Sequence, residues 1–216
     1  MTSSRFPGKV LHTCGGKPLL GWTLSRLSTL SSLTQIAVIT STEQSDDPIS
    51  HYCSDQAIAC FRGNLHNVLE RYLQACRFFQ VKYFVRICGD SPLIDSSIVS
   101  RALRIFSQAD VDIVTNTFKR TYPKGQSVEV VSRNALERLS TYDLSSSERE
   151  HVTSGFYNRS KIFRIFNFES HYLGHANTQL SVDTRTDLHS LSQFLGKSCE
   201  TSSCDWLTFA LKLKDK

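Results

Sequence analysis

Three clusters in this chain carry residue types suited to phosphate or metal chemistry. The first is the opening stretch Met1 to Lys17, MTSSRFPGKVLHTCGGK, which gathers Ser3, Ser4, Arg5, Gly8, Lys9, Gly15, Gly16 and Lys17. Glycines let backbone N–H groups approach anionic oxygens, and Arg and Lys supply charge, so the stretch suits a triphosphate-binding loop. A polar, frayed chain end is the competing interpretation.

The second cluster is a pair of aspartates, each following a strand-like run. Asp90 lies in Cys88-Gly89-Asp90-Ser91-Pro92-Leu93-Ile94-Asp95, just after YFVRI, and Asp183 lies in Ser181-Val182-Asp183-Thr184. In open α/β sheets, ligands bind outside the carboxyl ends of the strands, where two carboxylates could share one Mg²⁺, an ion that favours oxygen ligands and substrate phosphates. The alternatives are a turn-forming role for Asp90 and a loop cap for Asp183; Asp95 is better explained as a helix cap.

The third cluster is Ser145 to Thr153, SSSEREHVT. On one helix Glu148, Glu150 and His151 cannot all face the same way, which favours a solvated charged face. Alternatively Arg149 and His151 turn into a cleft and grip an acidic acceptor, since guanidinium binds carboxylate or phosphate through two parallel hydrogen bonds. No GxxxxGK[ST] or GxGxxG motif is present, and neither nucleophilic Cys, Ser/His/Asp nor zinc-ligand spacing is found.

These clusters need a scaffold that brings strand ends together. Apolar residues at Leu20, Leu24 and Leu27 mark one helix face, QIAVIT (35–40) and AIACF (57–61) read as strands, and Asp47-Pro48 opens a helix between them. Val68 to Cys76 is an amphipathic helix, YFVRI (83–87) a strand, Ile98 to Phe106 a helix face, and 112–115 another strand. Such alternation predicts an α/β fold: a mostly parallel mixed sheet with helices on both faces. Beyond Asn116 the rhythm changes, with a turn at TYPKG (121–125), a strand at 128–131, a helix at 133–142, and a helix running from the 145–149 caps toward Asn158. Strands follow at 163–168 and 180–182, then helices at 186–195 and 205–213. This half reads as insertions on one sheet edge.

A length of 216 residues, 40% hydrophobic and 21% charged, fits a soluble globular domain. The net charge of +5 is scattered among acidic residues, which disfavours nucleic acid and suits small anionic ligands. Seven cysteines, at 14, 53, 60, 76, 88, 199 and 204, form no CxxC pair and read as reduced thiols. With no signal peptide and no membrane-length apolar run, a cytoplasmic location is expected, with no membrane partner.

Taken together, RFPGKVL (5–11), GGKPLL (15–20), DDP (46–48), FRG (61–63), VLERY (68–72), RICGDSPLID (86–95), TYPKG (121–125), SEREHVT (147–153) and SVDTRTDL (181–188) resemble the cytidylyltransferases of the SpsF type, relatives of the CMP-Kdo and CMP-sialic acid synthetases. The resemblance implies a GT-A-like nucleotidyltransferase fold over 1–195, with 196–216 a divergent helical tail. It implies CTP as substrate, held by Ser4, Arg5 and Lys9 on the phosphates with Arg62, Gly63 and Arg71 nearby. It also implies Mg²⁺ on Asp90 and Asp183, with Tyr122, Glu129, Arg149 and His151 on the acceptor side. The acceptor would be a sugar acid or related small anion, pyrophosphate the product, and the assembly a homodimer. Relatives carry a buried strand and Gln-Ala-Arg ahead of the Met-x-Ser-x-Arg loop, so the sheet is expected to lack its first strand. Asn67 stands where relatives commonly carry Asp, and Gln126-Ser127 where Leu-Asp is usual. A nucleotide-sugar glycosyltransferase on the same fold, and a non-catalytic subunit or inactive copy, are the alternatives.

Overall fold

The computed structural model describes residues 5–172, 174–198 and 205–214. A 3-10 turn at Lys9–Leu11 leads to a hairpin of β1 (Thr13–Cys14) and β2 (Lys17–Pro18), then to α1 (Leu19–Leu27). Strands and helices then alternate: β3 (Ala37–Ser41), α2 (Asp47–Asp55), β4 (Ala59–Gly63), α3 (Val68–Phe78), β5 (Tyr83–Arg86), α4 (Ser96–Gln108) and β6 (Ile113–Thr115). The remainder is β7 (Glu129–Ser132), α5 (Arg133–Leu139), α6 (Ser146–Glu150), α7 (Ser154–Asn158), β8 (Ile165–Asn167), α8 (Arg185–Ser198) and α9 (Trp206–Lys214). No described helix is long and apolar enough to cross a membrane.

The expected helices begin where a side chain satisfies a free backbone N–H. Asn67 accepts from Glu70 at 3.1 Å to start α3, and Asp95 accepts from Ser97 at 2.8 Å to start α4. The main sheet runs β5-β7-β6-β8, with β6 parallel to β8 and β7 antiparallel to both neighbours. Three of its four strands therefore share one direction.

The strand after TYPKG is not an edge insertion: β7 lies in the middle of that sheet. Its neighbourhood explains why, because Val128, Val130 and Val131 are all fully buried, a run suited to a strand covered on both faces. Adjacent residues point to opposite sides. Ile113 and Val131 face α3, α5 and α7, whereas Val114 and Val130 face α4 and Leu27 of α1.

Two other segments depart from expectation. The helix drawn toward Asn158 divides into α6 and α7, because Val152, fully buried at φ 27°, reverses the chain between them. In 180–182 no strand forms; a single bridge joins Lys124 to Gln179. The tail does not stand apart, since Trp206, Phe209 and Ala210 of α9 pack in one cluster with Phe6, Leu19, Leu93, Phe194 and Leu195.

The strands also separate into two groups. Among the described residues β3 pairs with β4, in parallel register, and with no other strand; β5 pairs only with β7. The other edges of β3 and β5 face a common cavity of about 860 Å³, lined by Val38, Thr40, Val85 and Ile87 and walled by Leu24 and Leu103. The break between the two groups falls in the interior of the fold. Unpaired edges of this kind leave backbone donors and acceptors without ladder partners, a liability for edge-to-edge association.

Candidate active site

The opening loop is anchored from within. Phe6 is 1% exposed, packs against the tilted ring of His12 with centroids 4.5 Å apart, and carries the Arg185 guanidinium 5.1 Å over its face. Gly8 turns the chain at φ 70°, after which the 3-10 turn presents Lys9. Gly15 and Gly16 do a different job from the one their composition suggested. At φ 55° and 81° they form the two-residue loop of the β1–β2 hairpin, where both positions need positive φ. Lys17 lies over Trp22 and donates to Ser25. Ser4 falls outside the described residues.

A second loop is built around TYPKG. Gly125 has φ 97°, and a Cβ there would meet the Ser181 backbone N at 2.6 Å, so only glycine allows the two loops this close. The Lys124 carbonyl accepts from Leu180 and Ser181 at 2.9 and 3.2 Å, and the Val182 N–H donates to the Asp90 carbonyl at 3.0 Å. Buried Gln126 fixes the other side, donating to the Leu93 carbonyl and accepting from the Asp95 N–H. These bonds hold the loops after β5 and before α8 side by side.

The consequence is a charged centre. The Lys9 ammonium lies 2.6 Å from Asp90 and 2.8 Å from Asp183, and Arg5 reaches Asp183 at 3.3 Å. Burial works against the Lys9 charge, but its bonds to Asp183 and Asp90 outweigh that and hold its pKa above the usual lysine value. Burial raises Asp183 in turn, and Lys9 more than reverses it, leaving the carboxyl below its ordinary value. Gln179 also donates to Asp183, at 3.1 Å. The capping duty beside Asp183 belongs to its neighbours: Thr184 and Asp187 exchange side chain-to-backbone bonds at the start of α8. Two carboxylates thus converge on one cationic nitrogen, a donor set of oxygens that fits a magnesium ion.

The other residues implied by the resemblance fall into separate groups. Arg62 bonds the carbonyls of Ser41 and Glu43 and pairs with Asp47 at 2.6 Å. Gly63 lets the Arg71 stem lie against it, since a Cβ would meet Arg71 Cγ at 2.8 Å, and Arg71 donates to the Asn64 carbonyl. Tyr122 is buried, edge-on to Phe168, with its hydroxyl accepting from Arg101, and so faces the core. Glu129 is buried with both oxygens engaged. Arg86 donates to one at 2.7 Å, Tyr157 and Thr117 to the other at 2.5 and 3.1 Å.

In SEREHVT the buried charged member is Glu148, which completes a capping box with Ser145 and receives Arg159 at 2.5 Å. Arg149 donates to the Leu144 carbonyl, and exposed His151 ends α6. The Arg159 and Ser145 bonds draw the Glu148 carboxyl down to about 2. A carboxyl with a depressed folded value stabilises the fold above its unfolded pKa and loses that contribution as pH falls through the folded one. Melting temperature should therefore fall between about pH 4.5 and 2 in the native chain, and less so in Glu148→Gln; parallel pH profiles would refute the assignment.

An α/β sheet covered on both faces, with two aspartates and a lysine gathered in the loops after β5 and before α8 beside a glycine-turned loop, defines a nucleotidyltransferase of the GT-A-like fold. The chain belongs to the cytidylyltransferase family, whose model matches residues 1–206. It is 28% identical over 207 residues to the spore coat polysaccharide biosynthesis protein SpsF of Bacillus subtilis, covering 93% of this chain and 85% of that protein. A solved cytidylyltransferase from Leptospira borgpetersenii superposes with a TM-score of 0.91 at 26% identity, covering 100% of this chain and 90% of that one. A CMP:2-keto-3-deoxy-manno-octonic acid synthetase complexed with CTP matches at TM-score 0.68 and 16% identity, over 90% and 94% of the two chains, a likeness of fold.

Proposed function

We propose that this cytidylyltransferase couples the cytidylyl group of CTP to a sugar acid or related anionic acceptor, in a Mg²⁺-dependent reaction that releases pyrophosphate. The observation that carries it is the convergence of Asp90 and Asp183 on Lys9 beside the Arg5 loop. The acceptor class draws on the relatives, among them a synthetase whose name specifies 2-keto-3-deoxy-manno-octonic acid.

In this reaction an acceptor oxygen attacks the α-phosphorus of CTP in line, forming the new P–O bond as the bond to pyrophosphate breaks. The protein makes no covalent bond, so positioning and charge neutralisation supply the catalysis. Asp90 and Asp183 would hold a magnesium ion, which supplies charge neutralisation at the phosphate oxygens. Lys9, bound to both carboxylates, is then free to turn its ammonium to a phosphate oxygen. Arg5, 66% exposed at the same centre, neutralises the leaving pyrophosphate.

The test is pyrophosphate release from CTP by the purified chain with magnesium and a panel of sugar acids. CTP should be preferred over ATP and GTP, and omitting acceptor or metal should abolish release. Nucleotide release from a nucleotide-sugar donor, with no pyrophosphate from CTP, would assign the site to glycosyl transfer.

A further inference from the structure

We infer that Arg86 recognises the carboxylate of the acceptor, and that Glu129 acts through Arg86 as a positioning residue; this rests on the function proposed above. Arg86 is the last residue of β5 and Glu129 the first of β7, directly opposite it, with Thr115 of β6 opposite Glu129 on the other side. The result is a polar row at one end of three strands whose middles are apolar. Within it, Glu129 faces inward: it is 3% exposed, with Arg86 on one oxygen and Tyr157 and Thr117 on the other.

Arg86 is in the opposite condition. Among the described residues its only side-chain hydrogen bond is the one to Glu129, made by Nη1, and its side chain keeps 23% of its surface open. A guanidinium carries five N–H donors and does not lose its proton in proteins, so four donors remain available in a fixed plane. That plane matches the two oxygens of a carboxylate.

The row also leads to the charged centre: Arg86 closes β5, and Asp90, which meets Lys9, lies four residues further along the chain in the loop that leaves that strand. A carboxylate on Arg86 would hold an acceptor beside the phosphates engaged by Lys9 and Arg5.

Binding is measured by thermal shift, which requires no turnover, with 3-deoxy-manno-octulosonate and glucuronate as acid probes and glucose as the neutral control. The acids should stabilise the native chain and glucose should not. Arg86→Lys keeps the charge and the pair with Glu129 but loses the fork, and should weaken acid binding by roughly tenfold or more while leaving the CTP shift unchanged. The double variant Arg86→Gln/Glu129→Gln leaves no buried lone charge and should lose the acid response with its circular dichroism retained. Unchanged acid binding in both variants, no stabilisation of the native chain by either acid, or a loss confined to CTP would overturn the inference. Absence of a CTP shift in the native chain would instead count against the proposed function, leaving the acid result to be read separately.

Discussion

Asp90→Asn should lower the kcat of CTP-dependent pyrophosphate release by roughly a thousandfold or more, with the fold retained. Losing one of two anionic ligands weakens charge neutralisation at the phosphates, where single preorganised contacts are worth about 10²–10³ in rate and a metal ion contributes several kcal/mol. The fold should tolerate the change, because Asp90 and Lys9 are partly exposed and Lys9 keeps its bond to Asp183. Lys9→Ala should be comparably inactive for a different reason. Its ammonium occupies the space between the carboxylates, so removing it should strengthen binding of magnesium alone, read as a larger metal-induced rise in melting temperature than in the native chain. Asp90→Asn should show a smaller rise. Near-normal turnover in either variant, or metal responses in the same direction, would show that the three residues do not share the role proposed for them.

The parts of this site differ in how visible they are along the chain. Asp90 and Asp183 stand out because each follows a short apolar run, and strand ends are where sheets of this class bind ligands. Their meeting is not visible, since it depends on the Lys124 carbonyl, the close approach at Gly125 and the Val182-to-Asp90 bond, all of them long-range. Glycine content misleads at Gly15-Gly16, where two glycines between would-be strands mark a hairpin more directly than an anion cradle. The division between α6 and α7 has no Gly or Pro to announce it; burial of Val152 imposes it.

The Arg86 row did leave a signal that motif matching passes over. YFVRI and VEVV each set a single charge, of opposite sign, in an apolar strand. Burying either charge alone is so unfavourable that each implies a partner. Pairing the two lone charges would have placed the strands of Arg86 and Glu129 side by side, and with them the central position of β7.

That pairing sets the largest expected effect on stability. Glu129→Leu leaves the Arg86 guanidinium without its counter-charge and strips Tyr157 and Thr117 of their acceptor, and breaking a buried ion pair from one side costs about 3–5 kcal/mol. For a chain of this size the melting temperature should fall by roughly 6–20 °C. Adding Arg86→Met should recover much of the loss, because a well-packed apolar pair can match a buried ion pair in stability. The pH dependence follows from Glu129 itself. Burial raises its pKa, but Arg86 and the hydroxyl donors outweigh burial and hold it below the usual carboxylate value. Its contribution is therefore present above the unfolded pKa and disappears as pH falls through the folded one, so the gap between native chain and Glu129→Leu should narrow toward acid pH. A single variant that melts within about 1 °C of the native chain would show that the pair is solvated, and Arg86 would then have no fixed orientation from which to select an acceptor.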